Sequence, residues 1–149
     1  FTIAGSFDAK NPSSITQREF DELLESDHVC YLGSNANVLE EIIKSTCVVL
    51  PSTYGEGLPK ILIEATSLGR LCLTTDLPGC KDAVLPSKTG FLFEPHDVSR
   101  LSELMVYITK NPAMTQEMSS NASSFAFQNF DVKSIVKQHM KIYNLACGK

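Results

Sequence analysis

The feature that most constrains the fold of this chain is a series of short, continuously apolar runs separated by segments of helical periodicity. The strand-like cores fall at 2–5, 29–33, 47–51, 71–75 and 91–93, within FTIAG, HVCYLG, TCVVLP, LCLTT and GFLF. Several are apolar without alternation, as suits strands covered on both faces in a parallel sheet. Between them lie helical patterns. Ser14 with Gln17 three places on reads as a capping box leading into REFDELLES. Val38, Leu39, Ile42 and Ile43 make one helical face, and Pro59 and Gly69 mark the first turn and the stop of LPKILIEATSLG. Asp97 and Asp131 stand where they can cap VSRLSELMVYITK and VKSIVKQHMKIYNL. The order β-α-β-α-β-α-β-β-α-α-α predicts an α/β fold, a mostly parallel sheet flanked by helices. In such sheets ligands bind beyond the carboxyl ends of the strands. That directs attention to the loops at Gly33-Ser34-Asn35, at 52–57 and at 76–81.

A net charge of −4 excludes the broad basic face expected of a nucleic-acid or membrane-surface binder. The five cysteines form no Cys-x-x-Cys pair, and Cys30, Cys47 and Cys72 sit in apolar runs, where a thiol behaves as a small hydrophobe. A disulfide framework or zinc site is not expected, and a reducing, cytoplasmic setting fits. His28, His96 and His139 have no ligand spacing and read as surface residues. No apolar run approaches the roughly 20 residues that span a bilayer. The opening FTIAG, strand-like and without Met, reads as the interior of a longer protein.

The loop–helix segment PSTYGEGLPKILIEATSLG, residues 51–69, carries the candidate site. Gly55 and Gly57 permit backbone angles or close approaches that a side chain would block. The N–H groups of Gly57, Leu58 and Lys60 precede or open the helix, so they lack intrahelical partners, while Pro59 has none to satisfy. Together with the positive end of the helix dipole they suit a phosphate or diphosphate. Glu56 would repel that group unless it faces hydroxyls of an attached sugar. Glu64, about five residues into the helix, lies roughly 7 Å along its axis. A nucleotide-sugar has the matching order of ribose, diphosphate and sugar. The plainer readings are a Lys60–Glu64 surface ion pair and a helix-start charge at Glu56, each worth no more than about 1 kcal/mol.

PST-x2-EGLPKILIEATSLGRLCLTTDLPGCKDAV followed by TGFLFEPHDVSRLSELM resembles the carboxyl-terminal domain of family-4 retaining glycosyltransferases, over essentially the whole chain. FTIAG and CYLG are similar to that family's preceding strands, and FxxxxIVKQHMKIY to its closing helix. The resemblance implies a Rossmann-like domain, the C-terminal half of a GT-B glycosyltransferase. It implies that Glu56 faces the donor sugar and steadies positive charge at the reacting carbon, and that Glu64 binds the ribose. The backbone of Gly57, Leu58 and Lys60 would lie along the diphosphate, with Gly55 and Pro59 shaping the loop. Gly33, Ser34 and Asn35 would meet the base, and Gly79 would form a further wall of the cleft. The family often has Glu where this chain has Asp82.

By the same resemblance no metal or other cofactor is expected, and no Asp-x-Asp motif is present. The partners would be a nucleotide-sugar donor, foremost a UDP-sugar, and a glycan or lipid-linked acceptor in bacterial capsule or lipopolysaccharide assembly. The domain is expected to be partial across 1–149. The family's first β-α unit, with an Arg and a Lys for the diphosphate, and its amino-terminal acceptor domain do not match anything here. The isolated chain is therefore expected to be inactive, with peripheral membrane association a matter for the longer enzyme only. Double displacement and same-face internal return both remain open as catalytic routes. A nucleotide-sugar epimerase of the same architecture and a non-catalytic nucleotide-binding module are the competing readings.

Overall fold

A computed structural model describes residues 1–8, 10, 14–34 and 37–148. The elements run β1 (Thr2–Ile3), α1 (Gln17–Leu24), β2 (Cys30–Tyr31), α2 (Val38–Lys44), β3 (Cys47–Leu50), α3 (Lys60–Ser67) and β4 (Leu71–Thr75). A 3-10 turn at Lys81–Ala83 leads to β5 (Gly90–Phe93), α4 (Val98–Lys110), α5 (Pro112–Phe130) and α6 (Val132–Ala146). The predicted element order holds, and every strand pairing is parallel. The ladders form two sheets, β1–β2 and β3–β4–β5. The chain divides into two compact units, Phe1–Lys44 and Ser45–Lys149.

In the first unit, Thr2 pairs with Cys30 and Ile3 with Tyr31. Phe20 of α1 stacks on Phe7 and meets Tyr31 edge to face, with ring centroids 4.7 and 5.2 Å apart. The capping box forms two residues beyond the predicted one. Glu19 Oε2 accepts from the Thr16 N–H at 2.7 Å, and Thr16 Oγ1 accepts from the Glu19 N–H at 3.2 Å. A charged carboxylate is the stronger acceptor, so Thr16/Glu19 prevails over Ser14/Gln17. The apolar face expected of α2 is only partly used, because Ile42 is buried while Val38, Leu39 and Ile43 are exposed. Cys30, expected to be sequestered, is exposed on its two-residue strand.

The second unit is built on β4. All five of its residues are buried, between β3 (Cys47 opposite Leu71, Leu50 opposite Thr74) and β5 (Cys72 opposite Gly90, Thr75 opposite Phe93). Leu71 and Leu73 share a core with Phe93, Leu104, Ile108 and Met118. α3 packs on α5 and against β3 and β4, which fixes the direction of the loop between β3 and α3. Burial raises the Cys47 thiol, and burial with Cys47 beside it pushes Cys72 up to about 12. These two thiols are core packing, not nucleophiles. Asp97 and Asp131 cap α4 and α5's successor α6 as expected, accepting from the N–H groups of Arg100 and Ser134 at 2.9 Å. α6 buries none of its residues, and no helix among the described residues is long and apolar enough to cross a membrane.

Candidate functional site

β3 delivers the chain to Pro51, and the 51–59 loop then turns into α3 at the carboxyl edge of the three-stranded sheet. Pro59 is the N-cap rather than the first helical residue. Its φ of −65° with ψ of 125° is extended, and its carbonyl accepts from Leu62 and Ile63 at 3.1 and 3.3 Å. Among the described residues, the N–H groups of Gly57, Leu58 and Lys60 make no hydrogen bond to the protein. The eight-residue α3 has no acidic residue in its first turn and no side-chain cap. Its amino end is therefore an unneutralised positive dipole beside free donors.

Glu56 is exposed on the loop and held at several points. Its N–H donates to the Pro78 carbonyl at 3.3 Å. Its Oε1 accepts from Ser52 Oγ at 2.8 Å and lies 3.8 Å from Cys80 Sγ. Lys60 and Glu64 form the i,i+4 ion pair foreseen as the plainer reading, at 3.0 Å. The lysine side chain is 87% exposed and the glutamate 24%, so Lys60 can leave the pair cheaply while Glu64 stays against the helix.

The glycines divide sharply. Neither Gly55 nor Gly57 has a positive φ, so the backbone freedom expected of them is not used. A Cβ on Gly55 would make ordinary contact with Pro78, and one on Gly57 would meet nothing within 4 Å. Gly57 therefore borders open space. Gly79, expected to help wall the cleft, is buried and wedged beneath the loop at φ 85°. A Cβ there would collide with the carbonyl oxygens of Glu56 and Gly57. Asp82 Oδ2 accepts from the Gly79 N–H at 3.1 Å, and Lys81 pairs with Asp76 at 3.4 Å, so the 76–82 turn is braced internally. Thr75, which leads into that turn, is fully buried with a hydroxyl that finds no partner among the described residues.

Gly55, Glu56, Gly57, Leu58, Pro59, Lys60, Glu64 and Gly79 thus belong to one loop–helix–turn assembly of the second unit. Gly33, at φ 69°, and Ser34 belong to the first unit, and Asn35 lies outside the described residues. Sequence reasoning missed Ser52 and Cys80. Ser52 stands four places before Glu56 and could have been suspected; Cys80 is 24 residues away, and only the fold reveals it. Two open depressions lie elsewhere. One of about 400 Å³ has Lys88, Met118, Asn121 and Phe125 among its lining, and one of about 420 Å³ lies over Val106 and Tyr107. Most of the loop at 51–58 is exposed. Among the described residues no three His, Cys, Asp or Glu side chains gather as a metal site.

The family model described as glycosyl transferases group 1 matches residues 1–125. A relative from Campylobacter jejuni, N,N'-diacetylbacillosaminyl-diphospho-undecaprenol alpha-1,3-N-acetylgalactosaminyltransferase, is 28% identical over 144 residues, 97% of this chain and 36% of its own length. The crystal structure of Anabaena Alr3699/HepE in complex with UDP superposes with a TM-score of 0.87 at 21% identity, over 96% of this chain and 40% of that one. Sucrose-phosphate synthase from Thermosynechococcus elongatus gives 0.84 at 22% identity, over 99% of this chain and 38% of that one. The chain therefore spans well under half the length of these relatives.

Proposed function

Because the chain belongs to the glycosyl transferases of group 1, we propose that it is the donor-binding domain of a retaining, family-4 glycosyltransferase. Its fold is that of the carboxyl-terminal half of a GT-B enzyme, parallel strands flanked by helices. The proposed reaction moves a sugar from a UDP-linked donor to a glycan or lipid-linked acceptor in bacterial surface-polysaccharide assembly. The name of the Campylobacter relative and the UDP in the Anabaena structure support that choice of substrates.

One observation carries the reading: free N–H groups at the start of α3 lie between a loop carboxylate, Glu56, and a helix-body carboxylate, Glu64. In the proposed complex the diphosphate lies against the N–H groups of Gly57, Leu58 and Lys60. The Lys60 ammonium swings from Glu64 toward the phosphates, and Glu64 turns to the ribose hydroxyls. As the bond from the anomeric carbon to the diphosphate breaks, negative charge grows on the leaving oxygen and positive charge on the carbon. The helix N–H groups stabilise the first and Glu56 the second, both fixed before the reaction begins. By either route the acceptor oxygen replaces the diphosphate oxygen on the anomeric carbon with net retention, and the acceptor's proton ends on the departing diphosphate. Acceptor binding, and an Arg and a Lys on the diphosphate, come from parts of the enzyme outside this chain. The enzyme works in the cytoplasm, at the membrane face when its acceptor is lipid-linked, and without a metal.

The test uses the complete enzyme and a panel of UDP-sugars. Glu56→Ala is expected to abolish transfer with the fold intact by circular dichroism, and the product is expected to keep the donor's anomeric configuration by NMR. Unchanged turnover by the Glu56→Ala enzyme refutes the assignment. EDTA is expected to leave the rate unchanged. The isolated chain should bind UDP weakly and turn nothing over; robust turnover would show that it needs no further domain. Nothing observed favours the epimerase or the non-catalytic module.

A further inference from the structure

The Glu56 carboxylate is not simply displayed on its loop. Both contacts recorded for it fall on one oxygen: Ser52 Oγ donates to Oε1 at 2.8 Å, and the Cys80 thiol lies 3.8 Å from the same atom. Among the described residues Oε2 takes no hydrogen bond. The two donors come from different loops. Ser52, half-buried, lies two residues past the end of β3, and Cys80, with none of its surface exposed, five residues past the end of β4. The Glu56 backbone is tied to the same second loop through Pro78, with Gly79 wedged against its carbonyl.

From this geometry we infer that Ser52 and Cys80 are positioning residues that orient Glu56 for the transfer step. The inference rests on the reading of Glu56 as the carboxylate that faces the donor sugar. A glutamate on an exposed loop samples many rotamers, and confining it costs conformational entropy. A carboxylate that must wait for a rotamer is a poor stabiliser of charge that develops only in the transition state. Anchoring Oε1 to Ser52 and Cys80 removes that search and leaves Oε2 as the oxygen that meets the substrate. The hydroxyl is the stronger tether, because a thiol is a weak hydrogen-bond donor. Cys80 adds a fully buried neighbour to the same oxygen.

The experiment measures kcat and KM separately in the complete enzyme with a UDP-sugar donor. Ser52→Ala is expected to lower kcat roughly ten- to hundredfold, the range for losing a hydrogen bond to a charged group, with KM for the donor little changed. Ser52→Thr, which keeps the hydroxyl, restores most of kcat. Cys80→Ser retains activity, and Cys80→Ala loses less than Ser52→Ala. In a Glu56→Gln background, Ser52→Ala has no further effect, since Ser52 acts only through the carboxylate. Wild-type kcat in Ser52→Ala, or an equal loss in both backgrounds, overturns the inference. Wild-type turnover by Glu56→Gln itself is a different result, since it sinks the role of Glu56 on which the inference stands. Thermal midpoints of all variants separate a loss of fold from a loss of orientation, and the threonine rescue decides the matter should alanine unfold the loop.

Discussion

Replacing Gly79 by alanine tests the architecture beneath the candidate site. The position combines a φ of 85° with no room for a side chain. Forcing an L-residue into the left-handed region costs about 1–2 kcal/mol. The added methyl would also collide with the carbonyl oxygens of Glu56 and Gly57, both backbone atoms that move only with the whole loop. Overpacking of that kind costs a further 1–3 kcal/mol, roughly. The expected destabilisation of the Ser45–Lys149 unit is therefore about 2–5 kcal/mol, read by urea denaturation followed by circular dichroism. Gly57→Ala is the control on the other face of the same loop. It has no positive φ and nothing within 4 Å, so its stability should stay within about 0.5 kcal/mol of wild type. UDP binding by calorimetry should nevertheless weaken, because the proposed diphosphate path runs along this backbone. Equal stability effects at the two glycines would refute the wedge; unchanged UDP binding by Gly57→Ala would refute the proposed path of the diphosphate.

Other perturbations probe the frame and its termini. Leu73→Ala removes a fully buried side chain from β4 and should destabilise by about 2–5 kcal/mol in the same denaturation assay. Thr75→Val removes the buried hydroxyl that lacks a partner and should be neutral or stabilising by about 1 kcal/mol, where loss of stability would reveal a hidden partner. Glu19 is held below its ordinary 4.5 chiefly by the Thr16 backbone N–H, so its cap supports α1 above that value and is lost as pH falls through the lowered one. An NMR titration of Glu19 that showed the ordinary value would remove the cap. A thiol reagent should modify Cys30 and Cys147 in the folded chain, and Cys72 and Cys80 only on unfolding.

Element order and strand direction were legible because continuous apolar runs and capping residues are local signals. So was the helix start after the Gly-Glu-Gly loop. Competition between neighbouring signals was harder to read. Ser14/Gln17 and Thr16/Glu19 both spell a capping box, and only the stronger acceptor decides between them. Periodicity also marks an apolar face without saying whether anything covers it. α2 buries only Ile42, and α6 leaves Val136, Met140 and Tyr143 exposed despite a helical pattern. At the candidate site the two glutamates and the free N–H groups follow from spacing. The ties from Ser52, Pro78, Gly79 and Cys80 do not, because they depend on how the loops after β3 and β4 fold onto each other.

The middle position of β4 has a kinetic consequence. Its amides are shielded by a strand on each side, so hydrogen exchange there requires the whole sheet to open, whereas exchange in α6, which buries nothing, requires only local fraying. The 76–82 turn, and through it the carbonyl that holds the Glu56 N–H, continues directly from that slowest-opening strand. Deuterium uptake should therefore rank α6 first and β4 last.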